Sequence, residues 1–542
     1  MSGTETGASS GAAAQPPGSG YGYGGAAGPV PGHTPGPASG PTSTPVPVPV
    51  PDGTTAPGGP FTPPDGIPVV VLPPDDAGWQ DRMRAMIRLP ATERPVPRVP
   101  LERAEAAHTV PVPRILDLTL RIGELLLSGG EGAEDVEAAM FGVSYAYGLA
   151  RVEPAVTFTL IGISYQPSLT EPPLAMSRTV RRRGTDYTRL AAVFALVGAI
   201  TAHEVTLEDA YRRLAGIRRN RHPYSSWALT GAAGLLAGAA SILVGGGPTV
   251  FVAAALAAML GDRLAWLLAG RGLPEFYQFA AAAMPAAAMG VVIDRYGHWI
   301  PGGGAVQSSA VITGGLFALL PGRALVAAVQ DGLTGFYITA SARLLEVMYL
   351  IVGIVVGVTL ILYAGVSLGA DLDPDQAPRA YDHPWVQLVA AMVLTLAFAV
   401  LLQCERHVLP LVTLNGGVAW TVFGVLHQRA GGNQVAATAA AAGLVGLFGQ
   451  LMARYRYVSV LPYVTAAIGP LLPGSATYFG LLALTQHHTD QGFTQLTKAA
   501  ALALAIAIGV NLGHEIVRLT LKAPGGARPR KARGAAKRTR GF

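Results

Sequence analysis

Asp331, Arg343 and Glu346 stand close together on a chain whose surroundings there are almost wholly apolar. A charge in hydrocarbon is costly, so ionisable residues in such a place carry protons, hold a polar solute or cancel one another. Arg343 and Glu346 are three positions apart and would share a helix face, so mutual neutralisation stands beside a proton or substrate site. Asp331 would carry a proton or lie at the headgroup level. Asp262 precedes Arg263 and reads as a local pair. Asn415, within "TLNGG" at 413–417, offers an amide oxygen to a substrate ammonium, although Gly416 and Gly417 beside it favour close helix packing.

Two further places have chemical potential. "LLPG" occurs at 319–322 and again at 471–474, so Pro321-Gly322 and Pro473-Gly474 interrupt apolar sequence in the same way. Proline lacks an N–H and glycine loosens the backbone, so each break would leave free N–H groups at a new helix start. Such a start attracts a carboxylate; a plain turn between helices is the simpler reading. The second place is "SGGEG" at 128–132, where Ser128, Glu131, Glu134 and Asp135 resemble a nucleophile among acids. No G-x-S-x-G elbow or H-E-x-x-H motif accompanies them, and helix capping by Ser128 explains them with less. Cys404 is the single cysteine, which excludes disulfides and cysteine-rich zinc sites within one chain. No metal or cofactor is expected.

The elements that must position these residues are membrane helices. The 542 residues are half hydrophobic and only 13% charged, with mean hydropathy +0.38. Apolar windows of about 20 residues, long enough to cross a bilayer, run at 225–244, 248–270, 275–294, 304–320 and 335–366. After an acidic break at 371–379 a second set follows at 384–403, 407–427, 433–453, 457–471 and 494–520. Arg263, Arg271, Arg323, Arg454 and Arg456, "RRNR" at 218–221 and the basic tail all fall on one predicted side. That places both termini in the cytoplasm by the positive-inside rule. The tail reads as a topology anchor, not a nucleic-acid site. No cleaved signal is expected, because the N-terminus lacks a basic stretch followed by an apolar one.

Laying 319–358 over 471–510 aligns both LLPG copies and also Gly357 with Gly509. Five crossings return a chain on the opposite side, so a duplicated five-helix unit inserts upside down, as in many secondary transporters. The expected fold is a polytopic α-helical membrane protein of about ten helices in two inverted repeats, 222–370 and 380–520. A small cytoplasmic α/β domain at 114–221 precedes them. Residues 1–113 read as a disordered Pro/Gly-rich tail with a linker, containing one short helix over "WQDRMRAMIRL". Residues 521–542 are the basic tail. Within 114–221, helical spacing marks Ile115 to Leu126, Val136 to Val143, 186–201 and Leu207 to Ile217. "AVTFTLIGISY" reads as one strand, partnered by "AMSRTVRR".

With these residues in view, the chain resembles the threonine/serine exporter family in its two-domain, ten-helix, actinobacterial form. "LRIGELLLSGGEGAEDVEAAMFGVSYAYGL" is similar to the family's N-terminal motif, here Ser128, Gly129, Gly130, Val136 and Glu137. "LLPGRALVAAVQDGLTGFYITASARLLE" is similar to its Pro-Gly, Asp and Ser-x-Arg-Leu-x-Glu pattern, here Pro321, Gly322, Asp331, Ser341, Arg343 and Glu346. The second copy has Gln495 and Lys498 where the first has Arg343 and Glu346, so only the first copy would couple. The resemblance implies export of threonine and serine across the cytoplasmic membrane, driven by protons. The mechanism would be alternating access along Pro321-Gly322, Asn415 and Pro473-Gly474, with Asp331 or Glu346 as proton carrier. Dicarboxylate export and a membrane-anchored hydrolase are the alternatives. The lipid bilayer is the expected partner, and a homo-oligomer is left open.

Overall fold

A computed structural model describes residues 78–89, 94–95, 111–168, 170–181, 184, 186–219, 223–296, 308–319, 321–367, 383–456, 459–485 and 488–520. The expectations for the proline-rich tail before 78, the acidic break at 371–379 and the basic tail lie outside the described residues.

The first described helix, α1 (Trp79–Ile87), buries Met83 and Met86. In α2 (Val112–Ser128), Ile115, Leu118, Ile122 and Leu126 recur every three or four positions and are buried together. α3 (Ala133–Ala146) follows the glycine break, with Glu134 and Asp135 in its first turn. The expected single strand is a hairpin: β1 (Val152–Thr157) and β2 (Leu160–Tyr165) pair antiparallel, with Thr157 opposite Leu160. The alternation of β-prone residues runs straight through the turn at Phe158 and Thr159 and so conceals it. β3 (Leu174–Thr179) pairs with β2, completing a three-stranded sheet in the order β1-β2-β3. α4 (Tyr187–Thr201) and α5 (Leu207–Arg219) complete this strand-bearing layer.

A helical bundle follows: α6 (Ser226–Leu243), α7 (Pro248–Gly270), α8 (Glu275–Tyr296), α9 (Ser308–Phe317), α10 (Gly322–Leu333) and α11 (Tyr337–Ser367). Then come α12 (Pro384–Leu401), α13 (Leu409–Gly424) with a π-helical end at Val425–Arg429, and α14 (Gln434–Arg456). The chain ends in α15 (Leu461–Thr465), a 3-10 turn at Gly469–Leu471, α16 (Gly474–Thr485) and α17 (Thr489–Thr520). Eight of these helices are long and apolar enough to cross a membrane. The segments expected at 304–320 and 457–471 are not single spanning helices. α9 and α10 flank the first LLPG, and α15 with the 3-10 turn is separated from α16 by the second. Hydropathy misses α10 because Arg323, Gln330 and Asp331 lie on it. Arg323, expected at a turn, stands in the first turn of α10.

The outer face is what a bilayer requires. On α11, Leu345, Tyr349, Val352, Val356, Leu360 and Tyr363 form one exposed stripe at helical spacing. Leaving each such side chain in water forgoes about 1.5–3 kcal/mol, so an apolar medium must cover the stripe. Exposed Trp227, Trp266, Tyr277 and Tyr337 ring the bundle end that carries the layer, and exposed Tyr296, Tyr363 and Trp385 ring the far end. Aromatic girdles of this kind mark the two membrane surfaces. The chain is a polytopic helical membrane protein.

Candidate functional site

The site begins with the way α2 ends. Gly130 has φ 92°, a left-handed conformation that suits glycine. The Glu131 N–H donates to Leu126 O and the Gly130 N–H to Leu127 O, which is the Schellman closure of a helix. "SGGE" therefore fixes Glu131 at a turn, where its side chain is 4% exposed. Ser128 does not cap the next helix. Its hydroxyl donates back to Leu125 O.

α3 starts at Gly132, which has no side chain with which to cap it. The cap comes from the bundle: the Ala133 N–H donates to Asp331 Oδ1 at 3.3 Å. A carboxylate at a helix N-terminus is favourable for both the free N–H groups and the helix dipole. Asp331 is 2% exposed and pairs with Arg343, Nη1 to Oδ2 at 2.9 Å. Arg343 Nη2 donates to Glu131 O at 3.1 Å. Arg343 is therefore paired across the α10–α11 turn with Asp331; neutralisation by Glu346 was one of the two readings its spacing left open. Glu346 is half-buried and Ser341 exposed on α11. From the other side, Ser459 accepts from the Leu461 N–H and donates to Glu131 Oε2 at 3.4 Å. Glu131 thus sits where α2, α10, α11 and the start of α15 meet, and burial pushes its carboxyl well above the usual range. Val136 is buried in the layer core. Glu137 accepts from the Val156 N–H, yet burial pushes its carboxyl up to about 7.

The layer is also tied to the bundle by backbone. Tyr187 and Thr188 N–H groups donate to Leu402 and Gln403 carbonyls, and the Tyr187 hydroxyl donates to Thr465 Oγ1. Asn415 donates to Val445 O and Tyr463 O, joining α13 to α14 and α15. A Cβ on Gly416 would overlap Thr395, so the glycine serves close packing, while the Asn415 amide oxygen, expected to meet a substrate ammonium, has no hydrogen-bond partner among the described residues. Asp262 accepts from the Thr230 hydroxyl, while Arg263 donates to Ser226 O and stacks over Trp227. They do not pair with each other as expected, because each finds a partner on α6.

Two cavities flank the broken helices. One of about 610 Å³ lies between layer and bundle, lined by Arg84, Glu131, Asp135, Asp331, Gln450 and His514 among others. The other, about 430 Å³, is lined by Trp420, His427, Gln434, Pro473, Ser475 and Lys498 among others. Both volumes suit small solutes. One apolar cluster supplies wall to both: Val326, Val464 and Ile468 face the first, Phe423 and Leu471 the second. Pro321 precedes α10 and is half-buried, whereas Pro473 and Gly474 are buried. Sequence reasoning set Glu131 aside with the hydrolase reading. The capless glycine at 132, followed by a helix, was the signal that the loop docks elsewhere.

Comparison with known proteins places this architecture. Residues 117–364 match one threonine/serine exporter family model. Residues 387–516 match a second, described as "Threonine/Serine exporter, ThrE". A protein of Mycobacterium tuberculosis named "Probable threonine/serine exporter" is 35% identical over 74% of this chain and 76% of its own length. The "Threonine/serine exporter" of Corynebacterium glutamicum is 31% identical over 80% of this chain and 88% of its own. No solved structure matches. The chain belongs to the threonine/serine exporter family.

Proposed function

We propose that this protein exports threonine and serine across the cell membrane by alternating access, driven by a proton gradient. The observation that carries the reading is the pair of cavities at opposite ends of one apolar cluster, each beside a broken helix. The relatives' names support the choice of solute. α9 with α10 forms one interrupted crossing, and α15 with α16 another; with the eight long helices these make ten. The N-termini of α10 and α16 present free N–H groups and positive dipole ends to a substrate carboxylate.

Packing supports the inverted repeat. A Cβ on Gly357 would overlap Ala280 O, and one on Gly509 would overlap Ala439 O. Gly357 packs α11 on α8, the fifth and third crossings of the first unit. Gly509 packs α17 on α14, the fifth and third of the second. The same contact thus recurs at positions that align in sequence. Arg219, Arg263, Arg271 and Arg454 gather at the layer end, which supports a cytoplasmic α/β domain there. Asp331, which pairs with Arg343, or Glu346 three positions beyond that arginine carries the proton.

Purified protein in liposomes with an imposed proton gradient tests the reading. Labelled threonine or serine should move, and an uncoupler should stop it; movement of succinate alone would change the substrate class to dicarboxylates. A Glu346→Gln protein that still concentrated threonine would remove Glu346 from coupling.

A further inference from the structure

The wall between layer and bundle contains more buried acid than base. Arg84 of α1 pairs with Asp135 of α3 and lies within 3.8 Å of Asp81. Arg88 pairs with Glu134 at 2.9 Å. Arg343 of α11 pairs with Asp331 of α10. Glu515 of α17 lines the same cavity and is exposed, and His514 lines it one position earlier. Glu131 differs from all of these. It is buried, it lines the cavity, and among the described residues no cation lies within ion-pair distance of its carboxylate. Among the described residues, the one hydrogen bond to that carboxylate is the long one from the Ser459 hydroxyl. Each arginine near enough to help is already held by another acid.

An uncompensated carboxylate in a buried place is costly, and the usual escape is to take a proton. A neutral carboxyl also suits the geometry, because its O–H can donate while the carbonyl oxygen accepts from Ser459. The cavity supplies the route by which water delivers that proton.

We propose that Glu131 is a further proton-binding residue of the transport cycle, taking one proton when the 129–132 loop seats between α10, α11 and the Ser459 segment. This rests on the transport reading. Loss of the proton puts a bare charge beside the Asp331–Arg343 pair, where it competes for Arg343 and loosens the cap on α3. The half-helix α10, which follows the Pro321-Gly322 break, is thereby coupled to protonation. The sign follows: seating binds a proton, so it is favoured at low pH and weakened as pH rises through the raised value for Glu131.

The test compares wild type with Glu131→Gln, which mimics the neutral carboxyl, and Glu131→Asp, which restores a titratable group. In proteoliposomes, wild type should concentrate threonine under a proton gradient and exchange labelled for unlabelled threonine without one. Glu131→Gln should keep exchange and lose gradient-driven accumulation, and Glu131→Asp should regain it. A Glu131→Gln protein that still accumulates threonine, or that loses exchange as well, overturns the proposal. Thermal unfolding in detergent is the second arm, and it does not depend on transport. The wild-type midpoint should fall more steeply than that of Glu131→Gln as pH rises, since the slope from Glu137 is common to both. Equal slopes overturn the proposal. If wild type moves neither amino acid, the transport reading fails on its own, and the unfolding arm still judges Glu131.

Discussion

Asp331 has two bonds that belong to different parts of the chain, and its value lies in holding both. It caps α3 in the layer and neutralises Arg343 in the bundle. Removing one member of a buried pair strands the other charge, at a cost of about 3–5 kcal/mol. Arg343→Ala should therefore lower the unfolding midpoint sharply. The double variant Asp331→Asn with Arg343→Gln should cost less than the two single variants summed, because it leaves no stranded charge. Additive losses in detergent-solubilised protein would show that the pair does not act as a unit. The sequence made Asp331, Arg343 and Glu346 visible, because charge in apolar surroundings stands out. It did not reveal which of them pair. Spacing along one helix favours Arg343 with Glu346, and only the fold brings α10 back alongside α11. Glu131 was hidden for the opposite reason. Acids near a helix start are common, and nothing local marks one of them as buried under another element.

At the scale of elements, close approach of helix backbones replaces the hydrophobic drive that lipid cannot supply. Gly357 and Gly509 each leave room for a carbonyl of the neighbouring helix. Gly357→Val and Gly509→Val should each destabilise by about 1–3 kcal/mol or more through overpacking, and by similar amounts if the two contacts are equivalent. Gly231 on α6 has open space around its added Cβ. Gly231→Ala should be neutral, or stabilising by up to about 1 kcal/mol through helix propensity. Unfolding midpoints in detergent measure all three; a Gly357→Val protein as stable as wild type would deny the contact. The helices of the layer were legible, since Ile115, Leu118 and Ile122 repeat at the helical period and are buried together. The β1–β2 turn was not, because Phe158 and Thr159 are strand-prone and lack the glycine or asparagine that signals a hairpin. The interrupted helices were half legible. Proline and glycine announced the interruption, but the polar residues on α10 hid the helix beyond it from a hydropathy count.

For the molecule as a whole, the direction of transport depends on which face of the membrane carries the layer. Cys404 makes this measurable without engineering it away. It is buried in the α12–α13 connection, and burial pushes its thiol up to about 12. Maleimides react with thiolate, so the wild-type protein should stay unlabelled. Glu171 is exposed on the layer, and Asp490 is exposed at the start of α17 at the far end of the bundle. With a membrane-impermeant maleimide on intact cells, Asp490→Cys should label and Glu171→Cys should label only after the membrane is opened. That pattern puts the acid-rich cavity, with Glu131 and Asp331, in contact with cytoplasmic solute, and makes the cavity at Pro473 the release side. The reverse pattern would turn the protein over. The layer would then guard the outer mouth, the arginines gathered beneath it would contradict the positive-inside rule, and the same two cavities would have to serve uptake.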